Sequence, residues 1–121
     1  MFVKKKDEEV KAFLGAGAEF SGKLVLSGSV RIDGNFVGEI SGQGTLIVGE
    51  KARVEADITV DSLFVFGEVR GTIETAKKLE INSSGRLFGK VSTVLLVIEE
   101  GAIFEGECAM PRGNNGGQKG E

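Results

Sequence analysis

"GNFVGEI" occupies residues 34–40, and the same phrase returns as "GEVRGTI" at 67–73 and "GRLFGKV" at 85–91. Each reads small-x-apolar-x-small-x-apolar. A short fixed period decides the architecture before any local feature does. Three more copies lie outside these: "AEFSGKL" at 18–24, "ARVEADI" at 52–58, and a sixth beginning at Gly101, "GAIFEGEC", with one extra residue ahead of Gly106. The starts at 18, 34, 52, 67, 85 and 101 are too closely spaced for a helical-hairpin repeat or a propeller blade.

Every copy alternates with period two, which puts its apolar residues on one face of a strand. One apolar column reads Phe20, Phe36, Val54, Val69, Leu87, Ile103, and the next reads Leu24, Ile40, Ile58, Ile73, Val91, Cys108. Between copies lie further apolar runs: Leu24-Val25-Leu26, Leu46-Ile47-Val48, Leu63-Phe64-Val65, Leu79-Glu80-Ile81 and Leu95-Leu96-Val97. About sixteen extended residues span roughly 50 Å, enough to close a loop of three short sides. Loops stacked about 4.8 Å apart put like residues above one another and merge the inward columns into one core. The pattern therefore predicts an all-β chain: a parallel β-helix of about six turns with a triangular apolar core. Glycine and alanine ahead of the inward residues suit its corners.

The chain has 121 residues, enough for one domain, and 40% of them are apolar. Its single cysteine, Cys108, rules out a disulfide framework within the chain and reads as a small buried residue of an inward column. No secretory segment and no long apolar run is present, which points to a cytoplasmic protein without a membrane span. The net charge of −3 argues against nucleic acid as the main partner. Residues 1–13, "MFVKKKDEEVKAF", depart from the repeat and read as a flexible tail; residues 14–110 form the repeat body; residues 111–121, "PRGNNGGQKGE", read as a disordered tail.

Three phrases, "FLGAGAEFSGKL" at 13–24, "GSVRIDGNFVGEI" at 28–40 and "VIEEGAIFEGECAM" at 97–110, resemble those of the bactofilins. The opening "MFVKKK" also resembles the short tail of many members. The resemblance covers nearly the whole chain. It implies a right-handed β-helix that assembles without nucleotide into non-polar filaments, peripheral on the inner face of the cytoplasmic membrane. It further implies a bacterial cytoskeletal scaffold that organises cell shape or localises peptidoglycan-processing enzymes.

The physics of a solenoid points the same way. Its two ends expose unpaired backbone groups above an apolar core, a template for another chain. Soluble solenoids cover those ends with polar caps. No such cap is evident: the first turn carries Phe20, Leu24 and Leu26, and the last carries Leu95, Val97, Ile103 and Phe104. End-to-end stacking of copies of the chain turns both liabilities into interfaces. The alternation puts Ile103 inward and Phe104 off the core column, where an aromatic anchors an interface. At the other extreme, Met1, Phe2 and Val3 can enter a bilayer boundary while Lys4, Lys5 and Lys6 meet anionic lipid, each contributing about 1 kcal/mol. Many tails along a filament would add avidity.

Enzymes also use β-helices. Hexapeptide acyltransferases and related zinc hydratases have a similar period but rely on histidine, and this chain has none. Asp33, Asp57 and Asp61 are spread over separate turns, and Asp33 reads as a corner residue beside Arg31. Glu99, Glu100, Glu105 and Glu107 read as a solvated acidic edge. "GAGAEFSG" at 15–22 precedes no helix and lacks the lysine-serine ending of a phosphate loop. The threonines do not align as an ice-binding face. The sequence thus predicts no enzyme, no cofactor, no metal and no nucleotide. The alternative to a filament scaffold is a β-helix adaptor that oligomerises laterally and recruits an enzyme.

Overall fold

The structure, a computed structural model, describes residues 12–15 and 17–110. All its regular elements are strands: β1 Ala12–Leu14, β2 Glu19–Ile32, β3 Asn35–Val48, β4 Arg53–Val65, β5 Glu68–Ile81, β6 Arg86–Thr93, β7 Leu96–Ile98 and β8 Ile103–Ala109. Every pairing is parallel. The order along the ladder is β1-β2-β3-β4-β5-β6-β8, with β7 beside β5. The chain is therefore a β-solenoid. β2, β3, β4, β5 and the β6–β7 pair each make one winding, five in all, and β1 and β8 are part-windings at the two ends. The ladder begins at Ala12, inside the segment read from sequence as a tail, because residues 12–14 continue the register over Val30–Ile32. Residues 1–11 and 111–121 lie outside the described residues.

The apolar columns stack as the alternation requires. Phe36, Val54, Val69 and Leu87 form one, Ile40, Ile58, Ile73 and Val91 a second, and both are buried. A third comprises Leu46, Leu63 and Leu79, and a fourth Val48, Val65 and Ile81, all fully buried. The β-branched and leucine side chains suit this pleated, enclosed surface.

Each winding bends at three places. The first is a glycine column: Gly22, Gly38, Gly71, Gly89 and Gly106 lie in register, with Ala56 in the same column. Gly38 has φ +142°, and a Cβ there would run into the carbonyl oxygen of Gly22 in the winding below. The second bend carries the register shifts, between Ser41 and Thr45 and between Val60 and Ser62. The third is a short turn, tight at Asp33-Gly34 and Phe66-Gly67, wider at Gly49–Ala52, Asn82–Gly85 and Glu99–Ala102. The wider turns close by a backbone bond: Ala52 N donates to Gly49 O at 3.0 Å, and Gly85 N to Asn82 O at 2.7 Å. The mixture of tight and wide turns, with the second-bend shifts, explains the uneven spacing of the repeat.

A side chain in the glycine column strains the backbone and meets main-chain atoms that cannot yield. Gly38→Val should lower unfolding free energy by about 3 kcal/mol in urea titration. The same change at exposed Ser27 should cost little.

Candidate functional site: the open end and a charged face

The C-terminal part-winding corrects the reading of the last repeat. Leu87 pairs with Phe104, and Arg86 with Ile103. Phe104 therefore occupies the core column and Ile103 the outward one, the reverse of the expectation. The true copy is "AIFEGEC", beginning at Ala102 rather than Gly101, with no extra residue. Phe104 and Ala102 are half-buried and pack on the end of the core, while Ile103 is 42% exposed. The neighbouring run shifts likewise. Leu96 and Ile98 continue the columns of Leu79 and Ile81, whereas Val97 follows Glu80 outward and Leu95 lies just ahead of β7.

This end is open. β8 pairs only with β6, so one backbone edge has no neighbour among the described residues. Ile98, although in a core column, is 45% exposed, and Leu95 is 49% exposed. Cys108 continues the column of Val91 yet is exposed, contrary to the buried role expected for it, because among the described residues no winding covers it. Partial desolvation still pushes its thiol pKa up.

The opposite end differs. Phe20 is half-buried, its ring centroid 5.1 Å from that of Phe36. Leu24 and Leu26 are only 4% and 2% exposed, so these two side chains are not available as an open end surface in the way expected. Met1, Phe2, Val3, Lys4, Lys5 and Lys6 lie outside the described residues.

The side of the solenoid just before the glycine column carries a feature the sequence reading missed. Two outward positions flank each core residue there. Going along the axis, the first column reads Glu19, Asn35, Arg53, Glu68, Arg86, Ile103, and the second Ser21, Val37, Glu55, Arg70, Phe88, Glu105. Glu68 is buried and gathers three guanidinium groups: Arg70 Nε donates to Oε2 at 2.8 Å, Arg86 Nη2 donates to Oε1 at 3.2 Å, and Arg53 Nε stands 3.9 Å from Oε2. The Arg70 hydrogen bond leads in holding the Glu68 carboxyl below its ordinary pKa, against the opposing effect of desolvation; Arg86 and the charge of Arg53 add to it. Arg70 also lies over the Phe88 ring, 4.4 Å from its centroid. The signal was present in the aligned copies as opposite charges two residues apart, Arg53/Glu55 and Glu68/Arg70, at the second and fourth positions of the phrase.

Elsewhere, Arg31 Nε donates to Asp33 Oδ2 at 2.7 Å, the corner pair read from "RIDG". In the acidic edge, Glu99 Oε1 accepts from the Ser83 amide at 3.2 Å, and Glu100, Glu105 and Glu107 are exposed. Among the described residues, no cluster of acidic, cysteine or histidine side chains could hold a metal ion, and no helix is long and apolar enough to cross a membrane.

The sequence that forms this ladder matches a known family. The model described as "Bactofilin: Polymer-forming cytoskeletal" covers residues 12–109. The chain belongs to the bactofilin family. It is 30% identical over 97 residues to Bactofilin BacP of Myxococcus xanthus (strain DK1622), across 80% of this chain and 40% of BacP. It is 29% identical over the same length to Bactofilin BacO of that organism, across 80% of this chain and 77% of BacO. The chain thus spans less than half of BacP and about three quarters of BacO. No solved structure matches it. Bactofilins are structural cytoskeletal proteins, and the domain boundaries coincide with the ladder, from β1 to the end of β8.

Because the Glu68 carboxyl is held below its ordinary pKa, its stabilising effect is complete above the unfolded glutamate value of about 4.3 and fades as pH falls through the folded value. Glu68→Gln should therefore flatten the acid limb of a stability-versus-pH curve. An unchanged acid limb would remove Glu68 from that role.

Proposed function

We propose that this bactofilin is a non-enzymatic scaffold that assembles end to end, without nucleotide, into non-polar filaments. The observation that carries this reading is the open C-terminal end: among the described residues β8 has a free backbone edge, and nothing caps the core columns where they finish in Ile98, Phe104 and Cys108. An exposed apolar end of this kind is covered most simply by another copy. The two ends differ, since Leu24 and Leu26 are buried while Leu95, Ile98 and Ile103 are exposed. That difference favours like meeting like: two open C-terminal ends related by a two-fold axis bury each other, the N-terminal ends, where Phe20 is half-buried, meet in a second two-fold contact, and the chain direction then alternates along the filament.

On this reading the filament lies on the inner face of the cytoplasmic membrane, held by Met1, Phe2 and Val3 in the lipid boundary and Lys4, Lys5 and Lys6 on anionic head groups. There it organises cell shape or localises peptidoglycan-processing enzymes. The membrane and enzyme roles rest on the tail sequence and the family resemblance.

Negative-stain images of the purified protein without nucleotide should show filaments; discrete particles would favour the laterally associating adaptor. Phe104→Arg puts a charge on the end of the core column, with only the final part-winding beyond it to disturb. It should leave a folded protein by circular dichroism and sediment as monomers or dimers, and persistent long filaments would exclude Phe104 from the contact.

Vesicles containing anionic lipid should pellet the full chain. A version lacking residues 1–6 should stay in the supernatant, and equal pelleting would sink the tail as anchor.

A further inference from the structure

We infer that the chain's own N-terminal segment, residues 1–11, seats beneath the first winding with Phe2 on Phe20, and that an anionic lipid surface competes for the same residues; the competition rests on the membrane reading above. The argument begins with register. β1 pairs with β2 eighteen residues on, Ala12 beside Val30 and Leu14 beside Ile32. Other windings make the same circuit, from Asn35 to Arg53 and from Glu68 to Arg86. Carried back through residues 1–11, this offset sets Phe2 against Phe20 and Val3 against Ser21. The core column of Phe20, Phe36, Val54, Val69 and Leu87 then gains one more aromatic. The residue types agree: Met1-Phe2-Val3 matches Asn35-Phe36-Val37, which holds the same place in β3. The reach agrees too, since Phe2 to Ala12 and Phe20 to Val30 are equal stretches of chain, each spanning about 33 Å when extended.

The N-terminal end itself calls for such a cover. Among the described residues, β1 is the only strand beneath β2, and it reaches only Val30, Arg31 and Ile32. Leu24 and Leu26 are nonetheless 4% and 2% exposed. The other end behaves differently: Cys108 continues the column of Leu24 through Ile40, Ile58, Ile73 and Val91, and it is exposed. Residues 1–11 are the part of the chain that leads, by the offset above, beneath Leu24 and Leu26. Phe20 is half-buried against Phe36, with ring centroids 5.1 Å apart, and its far face suits a second ring.

The seat is weak by construction. The offset that places Phe2 well puts Lys6 against Leu24 and Glu8 against Leu26. Their charged heads must turn to water, while the lysine stem lies over the leucines. Phe2 is thus the one firm anchor. The same Met1, Phe2 and Val3 enter the lipid boundary in the membrane reading, and one ring cannot occupy both places. Anionic lipid therefore draws the segment off and bares Phe20 for the two-fold contact between N-terminal ends. Away from lipid, the seated segment raises the protein concentration at which filaments form without preventing them.

Cysteine pairs test this in a Cys108→Ser background, at protein concentrations below filament formation and with oxidised glutathione. Neighbouring residues of parallel rungs stand about 4.8 Å apart, within disulfide range. Val3→Cys with Ser21→Cys should close a bond within one chain, read by non-reducing electrophoresis and thiol counting. Val3→Cys with Ser27→Cys should stay reduced. Vesicles containing anionic lipid should lower closure of the first pair several-fold, and neutral vesicles should not. Phe2→Ser, without vesicles, should form sedimenting filaments at a several-fold lower concentration than wild type. A first pair that closes no faster than the second, or only between two chains, overturns the seat and leaves filament assembly and the tail as anchor intact. Closure unchanged by vesicles that pellet the protein overturns the competition. An unchanged filament threshold in Phe2→Ser overturns the block on the N-terminal end. Wild type that stays in the supernatant with anionic vesicles defeats the membrane reading and the competition together, and closure alone then decides the seat.

Discussion

Parallel pairing in strict register is the constraint on which everything else in this molecule depends. Each backbone rung hydrogen-bonds to the rungs above and below, so a residue sits over its counterpart at a distance of about 4.8 Å. A column must therefore be chemically uniform or self-compatible. Buried columns become continuous stacks of leucine, isoleucine and valine. Bends become stacks of glycine, because at a position such as Gly89 the carbonyl of Gly71 occupies the space a side chain would need. In the outward column just before the glycines, charges of opposite sign succeed one another, as Arg53, Glu68 and Arg86 show. Even the polar core residues obey the rule: Thr75 and Thr93 are stacked, buried and hydrogen-bonded to each other, and Thr93 Oγ1 donates on to Leu95 O at 3.0 Å.

The same constraint explains what could be read from the sequence. Period-two alternation and the recurring small residues were enough for the ladder, the core columns and the corner at Arg31 and Asp33. The ends were harder. Gly101 looks like the small residue that opens a repeat, but it belongs to the wide turn Glu99–Ala102, and Ala102 holds the repeat position. One residue of slip exchanges the two faces of a strand, so Ile103 and Phe104 traded places, as did Leu95 and Val97 with Leu96 and Ile98. β1 escaped notice because three residues are too few to display a period. The charged side was legible in the aligned copies, as the second and fourth positions of each phrase, but the sequence reading followed only the apolar and small positions.

The two surfaces are different in kind. The end is apolar and its backbone edge has no neighbour among the described residues, so a contact made there would be driven by dehydration and strand pairing, which salt scarcely weakens. The side carries charges instead: Arg53, Arg70 and Arg86 are each about half exposed or more, where water and salt screen them, while the Glu68 carboxylate they surround is buried. The carboxylate that steadies the fold also fixes Arg70 and Arg86 on the side.

Five windings of nearly constant rise also give the subunit a set height, roughly 25–30 Å with its part-windings. Stacked end to end as proposed, copies would form a ruler whose graduation is the number of turns in the subunit, indifferent to which amino acids fill the outer columns. With chain direction alternating, anything fastened to one copy would recur along the fibre with a period of two such heights. Lengthening or shortening the coil by one circuit would reset the pitch of every attachment at once.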